Sequence, residues 1–140
     1  MKRLSITTIF WALIGVFVVI IIDMMLIPLT SASSRIYIIP LMFISWAAFF
    51  VLGLALIVLA VKRKTEGLLK KFLLLTGISA VGFPVFVVLH NLVSGLLSQL
   101  LNREFEEPIF FILAVFICPI GFMVGATGSI IQFIKKRNRS

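Results

Sequence analysis

Acidic side chains are scarce in this chain, with five Asp and Glu against thirteen Lys and Arg in 140 residues. The groups that carry redox and metal chemistry are scarcer still: one cysteine and one histidine. A single thiol, Cys118, excludes an intramolecular disulfide and a CxxC redox pair. One thiol with one imidazole cannot build a zinc or iron–sulfur site within one chain, so no cofactor is expected. The glycines form neither GxGxxG nor a phosphate-binding loop. Ser45, Ser79, Ser94 and Ser98 are lone hydroxyls without an elbow motif, and no second histidine is present to act as a base. Glu106 and Glu107 are adjacent and read as a solvated turn before Pro108. With no catalytic constellation to assemble, an enzyme is not expected.

Charged residues as a whole make up only 13% of the chain, about half the share of a soluble domain. What fills their place is apolar: 61% of residues are hydrophobic and the mean hydropathy is +1.23. Such a chain can bury too much apolar surface to be disordered, and it is too apolar for water. Four apolar stretches exceed the roughly 18 residues that mark a membrane-spanning helix: Ile6 to Leu29, Ile36 to Val61, Phe72 to Leu101 and Ile109 to Ile134. Helices are expected because lipid forces each span to satisfy its own backbone hydrogen bonds, and the alternating polarity of a β-barrel is absent. The short connections make consecutive helices antiparallel neighbours. The expected fold is therefore a single all-α integral membrane domain, an up-down bundle of four transmembrane helices.

The net charge of +8 is unevenly placed. Lys2 and Arg3 precede the first span; Lys62, Arg63, Lys64, Lys70 and Lys71 separate the second from the third; Lys135, Lys136, Arg137 and Arg139 follow the fourth. With both termini cytoplasmic, eleven of the thirteen basic residues lie inside, against Arg35 and Arg103 outside. The predicted location is the cell membrane, with anionic lipid at the cytoplasmic face as the natural counter-charge. Nucleic acid is not an expected partner, because no basic surface interleaved with aromatics exists outside the spans. The start of the chain also has the outline of a signal peptide, and cleavage would leave three spans. The apolar run exceeds the usual h-region of about 7 to 15 residues and is interrupted by Asp23, which favours a retained first span.

Within lipid, helices associate through small residues and scattered polar contacts. The fourth span offers Ala114, Cys118, Gly121, Gly125 and Ser129 at steps of three or four, with Gly121 and Gly125 forming a GxxxG. The plainer reading of this face is packing against another span of the same chain; the sharper one is a homo-oligomer or a membrane-protein partner. In the first span, Thr8, Ala12 and Gly15 share a side that leads by steps of four toward Asp23. Pro84 and Pro119 each remove a helical hydrogen bond, so kinks are expected there.

Asp23 and His90 are the ionisable residues inside the apolar runs, which makes them functional candidates. Asp23 lies roughly 26 Å above Ile6 and His90 roughly 27 Å above Phe72, near the outer edge of a core about 30 Å thick. One reading makes both interfacial anchors, bonded to each other, to Arg35 or to water. The other makes Asp23, His90 and Asn91 an outward-facing proton or cation site. From His90 onward the third span turns amphipathic, with Asn91, Ser94, Gly95, Ser98, Gln99, Asn102 and Arg103 on one side. That strip would line a wet vestibule or lie along headgroups. The expected function is an accessory, scaffolding or assembly component of the membrane. The alternative is a subunit of an oligomeric transporter or channel, since four such helices leave no aqueous path within one chain.

Overall fold

The computed structural model describes residues 5–63, 65 and 67–138, so Lys2, Arg3, Lys64 and Arg139 lie outside the described residues. Helix is the regular structure of the described residues. Three helices, α1 (Ile6–Leu26), α2 (Ala32–Lys62) and α3 (Gly67–Leu101), are followed by a fourth span in three pieces: α4 (Pro108–Ile112), a π-helical turn (Leu113–Ile117) and α5 (Cys118–Asn138). Four helices are thus long and apolar enough to cross a membrane.

Helix ends do not coincide with the ends of the apolar runs, and two helices start earlier than the hydropathy indicates. Ser31, with extended backbone (φ −65°, ψ 158°), starts α2 at Ala32, so Arg35 is helical and not part of a loop. Gly67 holds φ at +67°, a conformation that glycine adopts without steric cost, and α3 begins there instead of at Phe72. At the other end of α3, Asn102 takes the left-handed conformation (φ 48°) that commonly closes a helix. Ser5 caps α1 by accepting from the Thr7 amide at 3.3 Å. α1 then tightens into a 3-10 turn, Ile27–Leu29, around Pro28. α3 has 35 residues, about 52 Å of helix, and so outruns a hydrocarbon core of about 30 Å.

The prolines act unequally. α2 continues as helix through Pro40, and α3 through Pro84. The disturbance predicted at Pro119 takes the form of the π turn directly before it, in which the Cys118 N–H bonds the Leu113 carbonyl five residues back. Having no N–H to offer the preceding turn, Pro119 leaves room for that register to widen.

Consecutive spans pack on each other, and α3 is central, lying against α2 on one side and the fourth span on the other. At the α2–α3 crossing, Gly53 and Gly77 face each other so closely that a Cβ on either would stand 3.1 Å from the other's carbonyl oxygen. At the α3–α5 crossing, a Cβ on Gly125 would stand 2.6 Å from Thr76 Oγ1 and 2.7 Å from the Thr76 amide, and one on Gly121 would stand 2.6 Å from Ser79 Oγ. Ala114, Cys118, Gly125 and Ser129 are buried and Gly121 is half-buried, so this stripe faces α3 within the chain. In α1 the buried stripe is Ile9, Phe10, Leu13, Ile20 and Asp23. Thr8, Ala12 and Gly15, read from sequence as sharing Asp23's side, are exposed instead. The drift comes from 3.6 residues per turn: steps of four overshoot the true face, and by Asp23 the two stripes have converged.

One phenylalanine from every span meets at the centre. Phe17 of α1 lies 4.4 Å from Phe122 of α5 and 5.9 Å from Phe49 of α2, ring centroid to ring centroid. Phe49 in turn lies 5.2 Å from Phe122 and 6.4 Å edge-on from Phe83 of α3. Each aromatic side chain of this kind buries roughly 150–250 Å², so this layer joins all four long helices through a substantial apolar area.

Candidate functional site

Asp23 points into the bundle from the last turns of α1. It is only 5% exposed, and its Oδ2 accepts a hydrogen bond from Ser45 Oγ of α2 at 3.2 Å. The Ser45 hydroxyl also approaches the Leu41 carbonyl of its own helix at 3.1 Å, so its single proton is shared between two acceptors. Placing a carboxyl group in this apolar setting is expensive unless it is partnered. Its partner is a helix–helix hydrogen bond across the α1–α2 hairpin.

His90 is engaged elsewhere. Its Nδ1 lies 2.7 Å from the Glu107 carbonyl oxygen, which can only accept, so Nδ1 is the protonated, donating nitrogen. The Glu107 carboxylate stands 3.8 Å from the same nitrogen. Among the described residues no hydrogen bond or ion pair joins Asp23 to His90. Asn91, the third member of the candidate site, donates from Nδ2 to the Val87 carbonyl of its own helix at 2.8 Å and is exposed. The three residues share one end of the bundle and have three separate partners.

His90 belongs to a longer arrangement. Ser94 Oγ accepts from the Glu107 amide at 2.9 Å, while Ser98 Oγ accepts from the Phe105 amide at 3.0 Å and donates to the Phe105 carbonyl at 3.1 Å. One turn before His90, Phe86 stacks on Phe110 at 6.2 Å. Phe86, His90, Ser94 and Ser98 recur every four residues along one face of α3, and the returning chain from Phe110 back to Phe105 is laid antiparallel along them. The amphipathic strip of the third span is therefore in part neither a vestibule lining nor a headgroup contact. Its inner edge binds the chain's own return loop.

Glu107 is the hinge of this zipper. Read from sequence as part of a solvated turn, it is 7% exposed and caps α4, its Oε1 accepting from the Ile109 amide at 2.6 Å and its Oε2 from the Phe110 amide at 2.9 Å. Glu106, its neighbour, is exposed as the turn reading requires. An acid directly before a proline that opens an apolar run is a helix-start signature, so the signal was present. Gly53 and Gly77 were likewise missed, although paired glycines in neighbouring spans are what close helix crossings need.

Several hollows lie among the described residues, including an open one of about 290 Å³ bordered by Phe50, Pro84, Val85, Val88 and Leu89. A narrow apolar cavity of about 160 Å³ lies between α1 and the fourth span, bordered by Phe17, Ile20, Phe122 and Cys118. A larger cleft of about 910 Å³ opens at the opposite end from His90, beside Arg63 and Thr65. No group of three or more His, Cys, Asp or Glu that could hold a metal ion occurs among the described residues. No family model, curated protein or solved structure matches the chain.

Proposed function

We propose that this protein is an accessory, scaffolding or assembly component of the cell membrane, with both termini and the 63–66 connection on the cytoplasmic side. The observation that carries this reading is the interior. The layer of Phe17, Phe49, Phe83 and Phe122 occupies the middle of the bundle with contributions from all four spans. The polar groups above it, Asp23 and His90, are tied to Ser45 and Glu107. A bundle filled this way is suited to presenting its outer surface, where Ile44, Phe116, Ile117 and many other large apolar side chains are exposed to lipid or to another membrane protein. The orientation is supported by the concentration of basic residues at one end.

The test is reconstitution paired with crosslinking. Liposomes containing the purified protein should pass protons and small cations no faster than empty ones. A photo-crosslinking residue at Ile44 or Ile117, introduced in cells, should yield an adduct of one defined mass. Flux that disappears in Asp23→Asn would replace this reading with the transport alternative at Asp23, His90 and Asn91, and the absence of any adduct at all exposed positions would also overturn it.

A further inference from the structure

The cavity of about 160 Å³ between α1 and the fourth span lies beside the phenylalanine layer, and all four spans contribute to its walls. Phe17 and Ile20 come from α1, Phe49 from α2, Phe83 from α3, and Cys118 and Phe122 from α5. All of these except the half-buried Phe17 are buried, so they form its floor. Ile21, Met24 and Met123 also line it and are about half exposed, which places its mouth at the outer surface between α1 and α5. No charged side chain lines it and no polar surface is turned into it. The Ser79 hydroxyl, at its edge, is set against Gly121 in the α3–α5 contact.

These walls decide what can enter. A buried water needs two to four polar partners, and none is offered here, so the cavity is dry. Left empty, it would forfeit the dispersion contacts of every atom that lines it. Apolar cavities of about 150 Å³ take up benzene or xenon, which sets the size of a matching ligand at one small ring. Four phenylalanine rings around the space offer the faces and edges against which another ring packs offset or edge-on. The route agrees with the lining. Phe17 stands roughly 16 Å above Ile6 in a hydrocarbon core about 30 Å thick, so the mouth opens where apolar solutes dissolve and ions do not. The π-helical turn adds an independent observation: it ends at Cys118, and Cys118 and Pro119 form part of the wall. Such single-turn widenings of a helix are found frequently at functional sites.

We propose that this cavity is a binding site for a small uncharged monocyclic aromatic molecule, which enters sideways from the bilayer and packs among Phe17, Phe49, Phe83 and Phe122. The proposal goes beyond the accessory role and does not depend on it.

The full chain, carrying methionine labelled with carbon-13 at the methyl group, is titrated with benzene in detergent micelles and followed by NMR. Met24 and Met123 border the cavity, whereas Met25 and Met42 do not and report only the benzene dissolved in the micelle. The Met24 and Met123 methyl shifts should saturate, while those of Met25 and Met42 should drift in proportion to benzene. Ile20→Phe, which places a ring in the cavity, should abolish the saturating component, and Val51→Phe, the same kind of enlargement on an exposed face, should leave it intact. Phe17→Leu works in the opposite direction and keeps the test open if Ile20→Phe does not fold: naphthalene, too large for the unsubstituted cavity, should give a saturating Met123 shift only in this variant. Proportional drift of all four methyls would overturn the site, as would saturation that survives in a folded Ile20→Phe or naphthalene binding that is the same with and without Phe17→Leu. Saturation by n-hexane at the same concentration as benzene would give the cavity to the end of a lipid chain and overturn the aromatic ligand.

Discussion

Asp23 was legible as an oddity in the first apolar run, but its partner was not. Ser45 lies 22 residues away in a second run, and a lone hydroxyl gives no pattern until the α1–α2 hairpin closes and brings Oγ to 3.2 Å. The pair predicts an asymmetry between two substitutions. Ser45→Ala leaves a buried carboxyl without its donor and should lower thermal stability in detergent by the equivalent of about 1–3 kcal/mol. Asp23→Asn keeps an acceptor in place and should cost less. The double variant Asp23→Leu/Ser45→Ala, which removes both polar groups, should recover part of the loss, and strict additivity would show that the bond contributes nothing. Ser129 presents the converse case: it is fully buried and its hydroxyl has no partner among the described residues. Ser129→Ala should therefore be neutral or stabilising in the same melting assay, where a clear loss would reveal a partner for the hydroxyl.

For the helices themselves, apolar length located the four long apolar helices, while their ends escaped it because they turn on single residues: Ser31 with extended backbone before α2, Gly67 at positive φ opening α3, and Glu107 capping α4. The zipper between α3 and the return loop was hidden for a different reason. His90, Ser94 and Ser98 bind mainly backbone amides and carbonyls of Phe105 and Glu107, and backbone groups leave no mark in a sequence. Glu107→Ala removes both the cap of α4 and the carboxylate facing His90, and should destabilise by about 0.5–2 kcal/mol. Faster hydrogen exchange at the Ile109 and Phe110 amides would locate the damage, and unchanged exchange would mean the cap carries no weight. The small-residue stripe gives a paired prediction. Gly125→Leu drives a side chain into the Thr76 backbone and should lower the melting temperature through an overpacking cost of about 1–3 kcal/mol or more. Gly15→Leu, where nothing lies within 4 Å, should be tolerated. Equal tolerance at both positions would mean that α5 does not rest on α3 as closely as its glycines permit.

Across the whole molecule, two ends of different character follow from a few polar residues placed on an otherwise apolar chain. One end is closed: the return loop is zipped to α3, and Asp23 is bonded inside the α1–α2 hairpin. The other is open and basic, with the large cleft between α1, α3 and α5. The charge asymmetry was legible by counting, but the cleft was not, because its lining comes from three helices far apart in sequence and no local pattern encodes their meeting. If the basic end faces the cytoplasm, single cysteines placed at Ser33 and Glu106, both exposed at the closed end, should react in intact cells with an impermeant thiol reagent. A cysteine at Thr65 should react only after the membrane is opened. Cys118 is buried and should stay silent in both conditions, which makes the unsubstituted chain the internal blank. The reverse labelling pattern would place the basic end outside, against the strongest regularity in membrane topology.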